Sequence, residues 1–183
     1  VFDELRYFTP SHAPCVIDVD GVKIGVLICE DAWVQGPAQA AQQAGAQLLV
    51  VLNASPYYLG KQAERESVLA QRAQETGLPV IYAHMVGGQD ELVFDGYSFA
   101  LDANGGVAGR AGAFESELFV VQAVQTADQL RLHGKVAAVQ EDNASLWHAL
   151  VLAVRDYVNK NGFPGALLGL SGGIDSALVL AIA

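Results

Sequence analysis

Two short segments carry residues whose types and spacing could do chemistry. Residues 25–33, GVLICEDAW, end an apolar run with Cys29. A thiolate attacks carbonyl carbon, so a cysteine at the end of a buried strand is a candidate nucleophile. Residues 168–177, LGLSGGIDSA, contain two adjacent glycines before an aspartate and a serine. Two glycines allow a tight turn that directs backbone N–H groups at an anion, so this segment is a candidate phosphate-binding loop.

Activation of Cys29 requires a nearby base or cation. The next two residues, Glu30 and Asp31, are acidic and disfavour a charged sulfur. Lys23 precedes Cys29 in the same predicted strand and lies about 20 Å away, at about 3.3 Å per residue. Lys61 follows the loop after the next strand, and such loops cluster at the carboxyl ends of neighbouring strands. Lys61 is therefore the better placed cation, and a buried structural cysteine is the alternative for Cys29.

The candidate phosphate loop is expected to follow a short strand over 166–169 and to open a helix at Ile174. The N-terminus of that helix adds partial positive charge, which favours an anion. Asp175 would repel phosphate unless a cation lies between them, so Asp175 is a candidate Mg²⁺ ligand. The loop lacks the Gly-Lys-Ser/Thr ending of a Walker A motif. A chance strand–turn–helix is the alternative.

Hydrophobic patterning predicts the elements that position these segments. Alternating strands and helices come first, and antiparallel hairpins follow, which predicts a mixed sheet with helices on at least one face. The pattern weakens over 126–141, which we predict to be a linker. Asp142, Asn143 and Ser145 are candidate caps of the helix that follows. Predicted strands cover 16–19, 22–28, 48–52, 78–84, 97–101, 107–111 and 118–122; predicted helices begin at 37, 61, 144 and 174, and 85–96 is a polar loop.

Composition narrows the possible functions. The chain has 183 residues, of which 52% are hydrophobic and 16% charged, and this supports a well-buried core. Its net charge is −10, and no cluster of Lys and Arg is present to bind nucleic acid. Cys15 and Cys29 form no C-x-x-C pair, which argues against a disulfide framework and a thiolate zinc site. The four histidines show no metal-binding spacing and are interpreted as surface or core residues.

Location and partners can also be predicted. The apolar stretch 162–183 contains glycines, Pro164 and Asp175, which argue against a membrane span. No secretory signal is visible, so we expect a cytoplasmic protein. The chain begins with Val1 and ends inside an apolar run, so we expect it to be an internal segment of a longer protein. We expect small-molecule partners and a homo-oligomer, with no nucleic acid or membrane.

The segments FDELRYF (2–8), GVLICEDAW and NASPYYLGK (53–61) together resemble the nitrilase, or carbon–nitrogen hydrolase, superfamily in its glutamine amidase branch. The resemblance implies an α/β fold: the C-terminal part of an α-β-β-α sandwich. It implies that Cys29 forms a thioester with the glutamine side chain and releases ammonia. It also implies that Ser55, Lys61 and Glu30 bind glutamine.

The same resemblance assigns a supporting role to Glu4, for which a plain surface carboxylate is the alternative. The family's general-base glutamate and catalytic lysine precede the segment that begins at Val1. We therefore expect the chain alone to lack efficient amidase activity.

The SGGIDS motif resembles the PP-loop of ATP pyrophosphatases, which cleave ATP between the α and β phosphates. That resemblance implies the start of a PP-loop α/β domain, with ATP and Mg²⁺ as cofactors and Asp175 as the metal ligand. The residues implied to bind ATP are Gly169, Leu170, Ser171, Gly172, Gly173, Ile174, Asp175 and Ser176.

An amidase part followed by a PP-loop part is similar to the family of glutamine-dependent NAD⁺ synthetases, as is the segment GGQDELVFDGYSF (87–99). This resemblance implies ATP-dependent amidation of deamido-NAD⁺ with ammonia from glutamine, giving AMP, pyrophosphate and glutamate. It divides the chain into a hydrolase part (1–125), the linker (126–141) and the beginning of a synthetase part (142–183). The alternatives are a stand-alone nitrilase-type amidohydrolase and a non-catalytic assembly module with Cys29 packed in its core.

Overall fold

The computed structural model describes residues 4–127 and 129–183, except for the side chain of Glu4. The strands are β1 (Cys15–Val19), β2 (Val22–Ile28), β3 (Leu48–Asn53), β4 (Val80–His84), β5 (Val86–Gln89), β6 (Leu92–Asp95), β7 (Phe99–Leu101), β8 (Val107–Arg110), β9 (Val121–Gln125) and β10 (Leu130–Gly134). The α-helices are α1 (Pro37–Gln43), α2 (Lys61–Thr76), α3 (Asp142–Lys160) and α4 (Ile174–Ile182). Two short 3₁₀ helices cover Glu4–Arg6 and Cys29–Ala32.

The main sheet is mixed, as the sequence predicts. Its strand order is β1-β2-β3-β4-β7-β8. The central strands β2, β3 and β4 are parallel, with α1 and α2 as their crossover connections. The remaining neighbours are antiparallel, and the β1–β2 hairpin turns at Asp20 and Gly21, both with positive φ. This topology places the ends of β2, β3 and β4 at one edge of the sheet.

Both faces of the sheet are covered. On one face, Leu49 and Val51 of β3 pack with Leu69 of α2 in the larger hydrophobic cluster. On the other face, Leu48 of β3 packs with Leu132 of β10. Because successive strand residues point to opposite faces, the continuous apolar run of β3 is what a strand buried on both sides requires.

The predicted polar loop 85–96 is instead a hairpin formed by β5 and β6, so that prediction was wrong. The two strands pair from Val86 with Asp95 to Gln89 with Leu92. The alternation of apolar and polar residues that marks a strand is hard to recognise here, because Gly88 occupies a position close to α3 and carries no side chain. A Cβ atom at Gly88 would lie 3.1 Å from the Cα of Ala153, so a side chain there would require the helix backbone to shift by a few tenths of an ångström.

Strand β10 lies within the predicted linker 126–141, where the sequence pattern predicts no strand. Strand β10 pairs with β9, which begins three residues later than the predicted strand 118–122. Leu130 and Leu132 are buried by this pairing and by packing on the sheet. Two alternating leucines among polar residues are a weak sequence signal, and tertiary packing makes them a strand. Residues 137–141 have no regular structure.

The start of α3 also differs from the prediction. Glu141 is the N-cap and makes no side-chain cap bond, so Asp142, Asn143 and Ser145 lie inside the helix. The expected strand 166–169 is not paired within the described chain; residues 161–175 are exposed there. Helix α4 begins at Ile174 as predicted. Among the described residues, no helix is long and apolar enough to cross a bilayer.

Candidate active site

The register of the parallel strands gathers polar residues at one edge of the main sheet. Ile28 of β2 is opposite Leu52 of β3, and Asn53 of β3 is opposite His84 of β4. Cys29 follows Ile28 directly, so it lies at the same edge as Asn53 and His84. Binding sites of sheets with parallel strands form outside the carboxyl ends of those strands, and this edge is such a place.

Cys29 occupies a sharp turn from β2 into a 3₁₀ helix. Its φ is +47°, a left-handed conformation that costs a residue with a Cβ about 1–2 kcal/mol. The Asp31 carboxylate accepts the Ile28 N–H at 2.9 Å, and the Glu30 carbonyl accepts the Trp33 N–H at 2.9 Å. These bonds hold the turn. Backbone strain of this kind collects at functional sites, and a tight strand-to-helix turn brings a nucleophile to the edge of its sheet.

Ser55, predicted to bind glutamine, lies in a dense hydrogen-bond network. Its Oγ accepts from Asn53 Nδ2 at 3.0 Å, from Arg65 Nε at 3.2 Å and from Arg65 Nη2 at 3.1 Å. Its carbonyl oxygen accepts from Arg65 Nη2 at 3.1 Å. The Arg65 side chain is fully buried, and its Nη1 contacts the two carboxylate oxygens of Asp95 at 2.8 and 2.9 Å.

The contacts of His84 determine where its proton lies. The Met85 carbonyl can only accept, so His84 Nδ1 donates to it at 2.6 Å. His84 Nε2 then accepts the hydroxyl hydrogen of Ser55 across 3.3 Å. Burial, and then the Arg65 guanidinium, lower the pKa of His84, so the ring is neutral at neutral pH.

Lys61, a second predicted glutamine-binding residue, begins α2 and approaches the cysteine turn. Its ammonium lies 4.0 Å from the ring centroid of Trp33 and 3.1 Å from both Glu64 Oε2 and Tyr58 Oη. Tyr58 also donates to Glu64, and this bond and then Lys61 hold the pKa of Glu64 below its usual value. The cation is therefore fixed beside Trp33, four residues after Cys29.

Tyr82 lies on β4, two residues before His84, and packs beneath the candidate site. Its ring stacks on Phe99 with centroids 4.7 Å apart, and the residue is fully buried. Burial raises the pKa of Tyr82 to about 12, so the phenol stays neutral at physiological pH. Cys29 lies within electrostatic range of it.

Of the predicted amidase residues, Ser55 lies at the carboxyl ends of the parallel strands, where Cys29 also lies. Lys61 approaches the cysteine turn through its contact with Trp33. The Glu30 side chain is exposed. The predicted role of Glu4 falls on a side chain outside the described residues. Sequence reasoning missed Arg65 and Asp95 altogether and took His84 for an ordinary histidine. One signal was present: Arg65 falls in the buried stripe of α2, where a charge requires a buried partner. The stripe comprises Gln62, Arg65, Leu69, Arg72, Ala73 and Thr76.

The glycine loop has the conformation expected of a tight turn before a helix. Gly172 has a φ of +84°, and Gly173 is the extended N-cap of α4. Ser176 Oγ donates to the Gly173 carbonyl at 3.0 Å and lies 3.0 Å from Ser171 Oγ. Asp175 stands exposed in the first turn of α4. In the parts of the chain that the structure describes, no group of three His, Cys, Asp or Glu side chains could hold a metal ion. Asp175 therefore offers a metal ion a single carboxylate and is not part of a cluster of ligands.

Two family profiles match the chain. Carbon-nitrogen hydrolase covers residues 1–132, and NAD synthase covers residues 146–183. The first match ends inside β10 and the second begins inside α3, while our boundaries at 125 and 142 stay a prediction.

Similar proteins carry both parts. The chain is 49% identical to a glutamine-dependent NAD(+) synthetase of Xylella fastidiosa, over all of this chain and 34% of that protein. The structure of a glutamine-dependent NAD⁺ synthetase from Acinetobacter baumannii, in complex with ADP, is 43% identical over the whole chain and 35% of its own, with a TM-score of 0.92. The chain thus spans about a third of the length of these relatives.

A second kind of relative covers the first part alone. A mutant amidase from Nesterenkonia sp. AN1, with acrylamide added at its active-site cysteine, is 29% identical over 58% of this chain and 41% of its own, with a TM-score of 0.53. The predicted nitrilase-like fold, followed by the start of a synthetase domain, is confirmed. With a profile that matches most of its length, the chain belongs to the carbon-nitrogen hydrolase family.

Proposed function

We propose that the protein to which this chain belongs is a glutamine-dependent NAD⁺ synthetase. One observation carries the proposal: a cysteine at the carboxyl edge of a carbon-nitrogen hydrolase sheet and an SGGIDS loop at the start of an NAD synthase match lie on one chain. The names of the relatives that match the whole chain support it. A stand-alone amidohydrolase would need no glycine loop and no second family match.

The amidase step would begin at Cys29. Its thiol gives up a proton and the thiolate attacks the amide carbon of the glutamine side chain; that proton passes to the leaving nitrogen, and the C–N bond breaks to give a thioester and ammonia. Water then cleaves the thioester to glutamate and regenerates the thiol. Lys61 and Glu30 offer opposite charges for the carboxylate and the ammonium group of glutamine. Glu4 keeps its predicted supporting role.

The Ser55 hydroxyl fits an acceptor atom of the substrate. Asn53 and Arg65 donate to its oxygen, so only its hydrogen is available, and His84 holds that hydrogen by the longest bond of the set at 3.3 Å. A carbonyl or carboxylate oxygen of glutamine can take the hydrogen, whereas the ammonium group of glutamine cannot. Ser55 therefore contributes to substrate orientation as a donor.

The synthetase step would use residues 169–176 to bind ATP. The carboxylate of deamido-NAD⁺ attacks the α-phosphorus, pyrophosphate leaves, and ammonia then displaces AMP to form the amide. The N-terminus of α4 and the N–H groups of its first turn suit a phosphate chain. Magnesium binds through one or two carboxylates together with substrate phosphates, so the single carboxylate of Asp175 fits it. Bound there, Mg²⁺ would neutralise phosphate charge.

The test uses the full-length protein and follows AMP release with glutamine or with ammonium as nitrogen source. The wild type should use both nitrogen sources, and Cys29→Ala should use only ammonium. Cys15→Ala is the matched control, because Cys15 is the second cysteine of the sequence and is exposed on β1. Glutamine hydrolysis without any ATP-dependent AMP release would support the amidohydrolase instead. Loss of ammonium-driven synthesis in Cys29→Ala would refute the proposed division of labour. We also propose a cytoplasmic location and a homo-oligomeric state. Sedimentation of the purified protein tests the oligomeric state.

A further inference from the structure

A single buried side chain fixes both the hydroxyl and the backbone of Ser55. Arg65 gives Ser55 three of its contacts, two to Oγ and one to the carbonyl oxygen, all within 3.2 Å. A serine in a loop has a freely rotating hydroxyl. Here the donors of Arg65 occupy the oxygen from one side, and this sets the direction in which the O–H bond points.

Asp95 in turn fixes Arg65. Its two oxygens meet Arg65 Nη1 at 2.8 and 2.9 Å, and the two side chains are 0% and 2% exposed. A buried ion pair is weak evidence for stability, since well-packed apolar side chains of similar volume often serve as well or better. What apolar side chains could not supply is the set of directed N–H donors that Arg65 aims at Ser55.

The same pair connects two separate elements at the site. Arg65 lies on α2, one turn after Lys61, and Asp95 ends β6. The loop between β3 and α2 is tied to β6 a second time, because the Tyr57 N–H donates to the Val93 carbonyl at 2.7 Å. Loop 54–60 is thereby held from α2 and from β6 at once.

We propose that Arg65 is a positioning residue for glutamine cleavage, acting through Ser55, and that Asp95 acts by orienting Arg65. The inference rests on the proposed function, in which Ser55 contacts glutamine. Both side chains are buried, and in this proposal they act through Ser55 without contacting glutamine, so neither is a catalytic residue. Their loss should weaken recognition of glutamine and leave the chemistry of the thiol intact.

The test separates positioning from folding in the full-length protein. Arg65→Met and Asp95→Leu each leave an uncompensated buried charge and should lower thermal stability strongly. The double variant removes both charges, so its thermal stability should recover. Its kcat/KM for glutamine should nevertheless stay about tenfold to a hundredfold low, mainly through KM, because misplaced contacts are costly for orientation. Ammonium-driven synthesis should change less than about twofold, a change worth under about 0.4 kcal/mol.

A labelling experiment makes the result independent of NAD⁺ synthesis. Cys29 is labelled with a glutamine-like diazo ketone and, separately, with iodoacetamide. The double variant should react about tenfold or more slowly with the glutamine-like reagent, since about 1.4 kcal/mol of lost recognition is tenfold. Its rate with iodoacetamide should not change. Arg65→Lys is the second variant, because it keeps the charge opposite Asp95 but lacks the planar fork, and it should show the same loss.

The matched control is another ion pair on the same helix. Glu66 meets Arg110 Nε at 2.6 Å and Nη2 at 3.0 Å, linking α2 to β8 without contact to Ser55. Glu66→Leu with Arg110→Met should leave the labelling selectivity unchanged. If the Arg65–Asp95 double variant folds and keeps wild-type selectivity for the glutamine-like reagent, the positioning role is refuted. If the wild type releases no AMP but the Arg65–Asp95 double variant still loses selectivity for the glutamine-like reagent, the proposed function fails and the positioning role stands.

Discussion

Replacing Asp156 by alanine should loosen α3 from the hairpin of β5 and β6. The Asp156 carboxylate accepts the N–H of buried Gly88 at 2.8 Å, and Lys160 donates to the Gly88 carbonyl at 2.6 Å while lying 3.4 Å from Asp156. These side chains hold both backbone groups of Gly88 against the helix. Alanine removes the acceptor and leaves a buried N–H group without its partner.

The size of the effect follows from these contacts. An orphaned buried donor costs about 1–3 kcal/mol. The ion pair with Lys160, which is 47% exposed, contributes only about 0.2–1 kcal/mol. We therefore expect the local opening free energy of the contact to fall by about 2 kcal/mol, a factor of about 30.

Amide hydrogen exchange of the full-length protein measures this opening directly. Protection at Gly88 and along the facing side of α3 should fall about 30-fold in Asp156→Ala, as derived from the lost bond. Arg155→Ala is the control: the Arg155 side chain is 56% exposed and its Nε lies 3.4 Å from Asp156 Oδ1, so protection should hardly change. Equal protection of Gly88 in the wild type and Asp156→Ala would show that the carboxylate does not hold the hairpin.

Acidification of the wild type should also lower the hydrogen-exchange protection of Gly88. Burial acts to raise the pKa of Asp156, but the Gly88 N–H and the Lys160 ammonium outweigh it and lower the pKa below the model-compound value of 3.8. A carboxyl with a depressed folded pKa adds stability above its unfolded pKa and loses it as pH falls through the folded value. Gly88 protection should therefore drop below about pH 4 in the wild type, a dependence missing from Asp156→Ala.

Two further predictions concern the glycine loop. Asp175→Asn should lower AMP release with glutamine and with ammonium alike, because both routes need the phosphate charge neutralised; an unchanged rate with ammonium would remove its metal role. Gly172→Ala should raise the KM for ATP, since its φ of +84° costs a residue with a Cβ about 1–2 kcal/mol. Gly173→Ala should raise it less, because its φ is −85° and a Cβ there would meet Ser171 Oγ at an ordinary contact distance of 3.6 Å. Equal KM values in the two variants would contradict the strain argument.

Local signals were sufficient for some elements. Helix α2 runs over Lys61–Thr76 as predicted, because helix-forming residues fill it and Gly77, at φ +66°, ends it. The β1–β2 hairpin follows from Asp20 and Gly21. The hairpin of β5 and β6 could not be predicted, because its Gly87 and Gly88 reflect the close approach of α3, a partner more than 60 residues away.

The site divides in the same way. Cys29 could be proposed because a strand end and a cysteine are adjacent in sequence, and Ser55 and Lys61 because a short motif carries them; the roles of all three stay predictions. The Arg65–Asp95 pair joins residues 30 positions apart. No local pattern records such a contact, although a charge within the buried stripe of α2 shows that some partner must exist.

Helix α3 has a practical consequence for anyone dividing this protein into modules. Phe114 packs with Ala149 and Leu152, and the Tyr57 hydroxyl lies 2.9 Å from Ser145 Oγ. A recombinant module that stopped between the two family matches, at about residue 140, would present these aromatic rings to water and tend to self-associate. Chimeras with the related NAD(+) synthetases should therefore carry α3 and the β5–β6 hairpin from one parent.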